Sequence, residues 1–149
     1  MSYSQMMTIG NQKSIGTVLK LFISKESVEK MVVDKDGILK DKFYAKNIER
    51  SVLLSSKDSY ERAEEIGISL DFGKLGENII MDYNPYHLEA GTTIEIGEVV
   101  LEISQKCTLC KSLTKIDNRL PKLLKDDRGI FSKVIKEGTI YRGDKIYIV

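Results

Sequence analysis

Between residues 92 and 103 the chain repeats one pattern twice. Thr92, Ile94 and Ile96 alternate with polar residues, Gly97-Glu98 follows, and Val99, Leu101 and Ile103 resume the alternation. A period of two puts every apolar side chain on one face of an extended strand, and a two-residue link containing glycine reverses the chain into a hairpin. Other short apolar runs are cut off in the same way. Ile15–Ile23, Met31–Val33 (followed by the turn Asp34-Lys35-Asp36-Gly37), Ser51–Leu54, Ile79–Met81, Ile130–Ile135 and Ile140–Val149 all read as strands, the last turning at Arg142-Gly143-Asp144.

Helical signals are fewer. Ser55 and Asp58 form a capping-box pattern ahead of Tyr60, Ala63 and Ile66 at helical spacing, and Gly67 supplies a left-handed stop. Residues 82–87 read as a turn, and 107–125 as irregular to helical, interrupted by Pro121. Many short strands with few helices predict a mainly β (α+β) domain: a small closed or nearly closed β-barrel, which removes exposed strand edges, with inserted helices. The 149 residues are expected to form a single domain, 1–149, with 1–13 as a loose lead-in.

Composition narrows the function classes. A formal net charge of +1 gives the whole chain no attraction for nucleic acid, and four Phe and seven Tyr are not interleaved with basic residues as on a base-stacking surface. No apolar stretch approaches the roughly 18 residues of a membrane span, and Met1 to Gly16 lacks the pattern of a signal peptide. Two cysteines two residues apart are not a secreted disulfide framework. The expectation is a protein of the reducing cytoplasm, with no nucleic-acid or membrane partner. Locally, Gln105 to Arg128 carries seven Lys and Arg against three Asp. That segment can attract a phosphate- or pterin-type anion, although a solvated surface accounts for most of its side chains.

Phosphate-binding P-loop, dinucleotide-binding glycine, nucleophile-elbow and zinc-protease motifs do not occur. The residues left to carry chemistry begin with Cys107 and Cys110. Cationic neighbours Lys106 and Lys111 favour a thiolate, which can carry sulfur or ligate a soft metal. A buried, inert cysteine is the competing reading, and one histidine (His87) does not complete a structural zinc site. In Gly76-Glu77-Asn78-Ile79 the glycine turn can cradle an anion with Asn78 as donor, or Asn78 and Glu77 can satisfy local backbone. Arg50 can clamp a phosphate or carboxylate, or pair with Asp41 or Glu49.

In order along the chain, Gly37 with Asp41-Lys42, Arg50 to Leu54, Gly73 to Ile79, Gly91 to Ser104, Gln105 to Cys110, Gly129-Ile130-Phe131, and Gly138 with Gly143-Asp144 form a set. That set resembles the MOSC domain, named for the C-terminal domain of molybdenum cofactor sulfurases. The resemblance implies a small β-barrel and a cysteine, five residues after the Gln that ends a strand, that carries sulfur as a persulfide or ligates the molybdenum of a pterin cofactor. Here that residue is Cys110. It further implies Asn78 and Arg50, with Lys42 and Glu77, as contacts to a molybdopterin-type cofactor. Cys107 is an addition to the family pattern, a thiol able to resolve a Cys110 persulfide as a disulfide. A protein sulfur donor or redox partner is implied too, as is a role in metal–sulfur cofactor assembly or in reduction of N-hydroxylated compounds. Leu109, just before the cysteine, departs from the Pro or Glu frequent in the family, as Lys40 departs in the early motif. Two alternatives stay open: a non-catalytic binding module on the same barrel, and a Cys-x-x-Cys thiol or metal protein.

Overall fold

The computed structural model describes residues 13–108 and 111–149. The expected lead-in and Cys110 itself therefore lie outside the described residues, the lead-in except for Lys13. Eleven strands form: β1 Gly16–Ile23, β2 Glu26–Val28, β3 Lys30–Asp34, β4 Gly37–Ile38, β5 Val52–Ser56, β6 Ile79–Met81, β7 Thr93–Ile96, β8 Val99–Lys106, β9 Ile130–Lys136, β10 Gly138–Tyr141 and β11 Lys145–Ile148. Among the described residues three helices join them, α1 Lys57–Glu65, α2 Lys111–Ile116 and α3 Leu120–Leu123, with a 3-10 turn at Ile48–Arg50.

The strands run β11-β7-β8-β9-β5-β6-β1, and β1 pairs back onto β11 through Gly16 and Ile146. This closes a barrel of seven strands, as the strand pattern predicted. Strand β2 extends the sheet beyond β1, and β10, β3 and β4 make a separate three-stranded sheet. The hairpin from Thr92 to Ile103 forms as read, with Ile94 opposite Leu101 and Ile96 opposite Val99. One pairing in the barrel is parallel, Leu54 opposite Ile79. A parallel pair needs a crossover, and α1 supplies it.

Two layers of apolar packing follow from strand alternation. Val52, Leu54, Ile79, Met81, Ile94, Leu101, Ile103 and Ile130 fill the barrel interior. Ile80, between two inward residues of β6, faces the other way and packs with Phe22, Tyr60, Ala63, Leu75, Leu113, Leu120 and Leu124. A helical layer on the outside explains why Ile79-Ile80-Met81 is apolar without alternation. Each such side chain, fully buried, contributes about 1.5–3 kcal/mol.

Two local expectations shift. The N-cap of α1 is Ser56, whose hydroxyl accepts from the Asp58 amide, one residue later than the sequence pattern suggested. Ser55 is needed elsewhere: it is fully buried, with its hydroxyl 3.2 Å from that of Tyr86. Pro121 does not interrupt a helix but stands in the first turn of α3, where its missing N–H is harmless. Gly67 ends α1 at φ +84, as expected. Strands β2 and β4 were not legible, because three and two residues are too few to show a period.

A cationic pocket beside the barrel

Alternation also creates the site. Val52 and Leu54 point into the barrel, so Leu53 between them points outward, where it packs with Cys107 and Phe131. These three apolar side chains line part of a pocket of about 410 Å³. Around them stand Lys25 on the β1–β2 turn, Lys42 and Lys46 on the loop after β4, Arg50 in the 3-10 turn, Lys74 on the loop before β6, and Arg128 just before β9. Among the described residues six cationic side chains face two acidic ones, Asp41 and Glu77, and both carboxylates are buried and bonded to the protein. Lys25, Lys42, Lys46, Arg50 and Lys74 enter none of the ion pairs found among the described residues. The pocket therefore carries a net positive field suited to an anionic ligand.

The structure brings Lys42, Arg50, Glu77 and Asn78 to this one pocket, although they come from two separate connections, β4 to β5 and α1 to β6. Their roles in it differ. Arg50 lies over the Phe131 ring, 5.2 Å from its centroid, rather than pairing with Asp41; Glu49, the other partner considered, pairs with Lys133. Lys42 lies 5.0 Å from the centroid of Phe43, which is itself more than half exposed. Both cations are poised at apolar surface with donors to spare.

Asn78 is committed to the protein. Its backbone N–H donates to the Leu53 carbonyl at 2.9 Å, and its Oδ1 accepts from the Leu53 N–H at 2.9 Å. Its Nδ2 donates to the Phe22 carbonyl at 3.3 Å and to Asp41 Oδ1 at 3.4 Å. One side chain thus ties β1, β5 and the loop after β4 together at the pocket wall.

Glu77 is only 2 % exposed. The Tyr60 hydroxyl, which accepts from the Gly73 and Leu75 amides, donates to its Oε2. Its Oε1 has no hydrogen-bond partner among the described residues. Burial raises the Glu77 carboxyl above the ordinary carboxylate range, against the opposing pull of Tyr60, its own backbone N–H, Ser55 and the Arg128 charge. The Tyr60 phenol is likewise raised, first by burial and then by Glu77, so it stays a donor.

Sequence reasoning missed two residues. In the sequence Arg128 reads as one more solvated basic side chain, yet it is 7 % exposed, donates to the Leu75 carbonyl and lies 3.4 Å from the Ser112 hydroxyl. It links the glycine loop to α2, the helix that follows Cys110 in the chain. Asp41 appeared only as a matching letter and a possible partner of Arg50; it is 7 % exposed and lines the pocket. Cys107 is buried, donates its backbone N–H to Gly129, and also lines the pocket. His87 takes no part: its Nε2 lies 3.1 Å from the Tyr83 hydroxyl, away from the pocket lining.

The fold and site together define a closed seven-stranded barrel with a cationic, partly aromatic pocket on its flank. The MOSC domain family model matches residues 13–147, and the chain belongs to that family. The family is associated with molybdenum-cofactor and sulfurase-like chemistry. Among solved structures, the YuaD protein from Bacillus subtilis is similar at 17 % identity and TM-score 0.73, covering 92 % of this chain and 94 % of its own. YiiM from Escherichia coli is similar at 16 % identity and TM-score 0.72, covering 90 % and 69 %. YiiM from Geobacillus stearothermophilus follows at 18 % identity and TM-score 0.66, covering 91 % and 73 %. Those identities speak for the fold alone. No curated protein matches the chain. Among the described residues, no helix is long and apolar enough to cross a membrane.

Proposed function

We propose that this pocket binds a molybdopterin-type cofactor, and that Cys110 serves there as the molybdenum ligand or as a sulfur carrier. The observation that carries the reading is the pocket's donor set. Six cations and a small apolar patch suit a phosphate-bearing, partly planar group, while both carboxylates of the lining are held by the protein. Arg50 can meet phosphate oxygens with paired N–H groups, and Lys42, Lys25, Lys46 and Lys74 with mobile point charges. Leu53 and Phe131 exclude water from one side of the ligand. When bound, the cofactor would supply oxidation–reduction at molybdenum.

Cys110 stands three residues after Cys107 and two before Ser112, and both of those line the pocket. As a thiolate it can ligate the metal, or it can accept a sulfane sulfur from a partner protein's persulfide, leaving that partner as a thiol. A reducing, cytoplasmic setting keeps such a thiol available, and a sulfur-donor or redox partner protein would serve it there. Reduction of N-hydroxylated compounds and metal–sulfur cofactor assembly are both compatible uses.

The test is metal and pterin analysis of protein purified from a host that makes the cofactor. Wild type should contain molybdenum and pterin near one per chain, and Cys110→Ser should lose most of the molybdenum or all persulfide labelling. Unchanged metal and unchanged persulfide labelling in Cys110→Ser would sink the proposal. Cys107→Ser separates the Cys-x-x-Cys alternative: a ligand role for Cys110 alone survives that change.

A further inference from the structure

Four non-glycine residues among those described have a left-handed backbone: Ser24 at φ 48, Lys25 at φ 71, Lys40 at φ 74 and Ala45 at φ 62. All four fall in the two loops that make one wall of the pocket, and such backbone is retained where the surroundings hold it. Ser24-Lys25 is the two-residue link between paired residues Ile23 and Glu26, with both φ angles positive. That turn ordinarily takes Asn-Gly. Here it carries a lysine into the pocket lining.

One carboxylate holds these loops. Asp41 Oδ1 accepts from the Ser24 N–H at 2.8 Å and from Asn78 Nδ2 at 3.4 Å, and its Oδ2 accepts from the Phe43 N–H at 3.1 Å. The Ser24 hydroxyl in turn accepts from the Lys42 N–H at 2.8 Å. Asp41 enters no ion pair among the described residues, although it shares the pocket with Lys25, Lys42, Lys46, Arg50 and Lys74. Its bonds go to backbone N–H groups and one amide, and so fix geometry.

We propose that Asp41 is the positioning residue of the pocket: an anionic side chain inside a cationic site, which holds Lys25 and Lys42 where they meet an anionic ligand. The inference rests on the reading of the pocket as an anion site. It makes a prediction opposite in sign to simple charge counting. By Coulomb's law, removing a carboxylate from a cationic pocket tightens anion binding. If Asp41 positions the lysines, removing it weakens binding instead.

Inorganic phosphate is the probe, titrated calorimetrically at fixed pH and low ionic strength so that screening is small. Asp41→Asn keeps an oxygen for the Ser24 amide but offers the Phe43 N–H no acceptor. Phosphate affinity should fall about tenfold, in line with losing a hydrogen bond to a charged group. Amide exchange should quicken at Ser24 and Phe43 while the barrel strands stay protected. Lys25→Ala should weaken phosphate binding in wild type and do little more in Asp41→Asn, a non-additivity expected of coupled groups. Equal or tighter binding by Asp41→Asn overturns the inference alone, as do additive effects in the Lys25 cycle. An Asp41→Asn protein that does not fold also overturns it, since the carboxylate would then serve the whole barrel. Wild type that binds no phosphate at millimolar concentration overturns it together with the anion reading of the pocket.

Discussion

Asn78→Ala should destabilise the ligand-free protein by about 2–4 kcal/mol, read as a lower urea midpoint at unchanged slope. The substitution leaves the Leu53 N–H without its acceptor, and takes the Nδ2 donor from the Phe22 carbonyl and Asp41. A buried donor or acceptor left unpaired costs about 1–3 kcal/mol, and Leu53 sits in the buried β5 strand that pairs with both β6 and β9. Asn78→Asp should be no milder, although it restores an oxygen for Leu53, because it places a second carboxylate against Asp41 and the Phe22 carbonyl. An amide that served only to touch the cofactor would leave the empty protein as stable as wild type. A Asn78→Ala protein with an unshifted midpoint would therefore return Asn78 to ligand recognition and remove it from the architecture of the wall.

The second large effect concerns pH. Burial raises the Glu77 carboxyl in the native state, so the folded protein holds that proton more tightly than the unfolded chain does. The stability this contributes is fully present below the ordinary carboxylate range and is lost as pH rises through the raised native value. Glu77→Gln is neutral at every pH, and its amide can accept from Tyr60 and still place a donor where Oε1 lies. The two proteins should have similar stabilities near about pH 4, and the variant should gain on wild type as pH rises above the ordinary carboxylate value. Within the window the slope approaches about 1.4 kcal/mol per pH unit. The groups facing Glu77 from neighbouring elements are Tyr60 on α1, Ser55 on β5, Tyr86 on the loop after β6, and Arg128 ahead of β9. Both tyrosines are raised, away from that window. Denaturation of both proteins across the range checks this, and parallel stability curves would show that Glu77 is ionised when folded.

Strand content was legible because alternation is local. Thr92 to Ile103 announced its hairpin, and Ile15 to Ile23 its strand, from residues that stand next to one another. The α1 cap was misread by one residue for a related reason. Ser55 and Ser56 have the same local chemistry, and only Tyr86, 31 residues beyond Ser55, decides which of them leaves the cap. Very short strands β2 and β4 escaped since nothing in three or two residues distinguishes them from turns. At the site, Lys42, Arg50, Glu77 and Asn78 came from an ordered resemblance, and the fold does gather them around one cavity. What they do there was not in that order of residues: Asn78 and one oxygen of Glu77 bond to the protein, while Arg50 and Lys42 lie over aromatic rings of the pocket lining.

From the sequence by itself come the barrel class and the family, because hydrophobic period and glycine punctuation act within a few residues and the family's marks recur in order. Tertiary structure alone decided that Asp41 is a hub and Arg128 a buried wall residue. Asp41 meets Ser24 across 17 residues and Asn78 across 37, and Arg128 meets Leu75 across 53. A charged side chain reads the same in a sequence whether water or backbone satisfies it. Closure of the barrel brings those distant backbone groups within hydrogen-bond reach, and burial then makes the pairing obligatory.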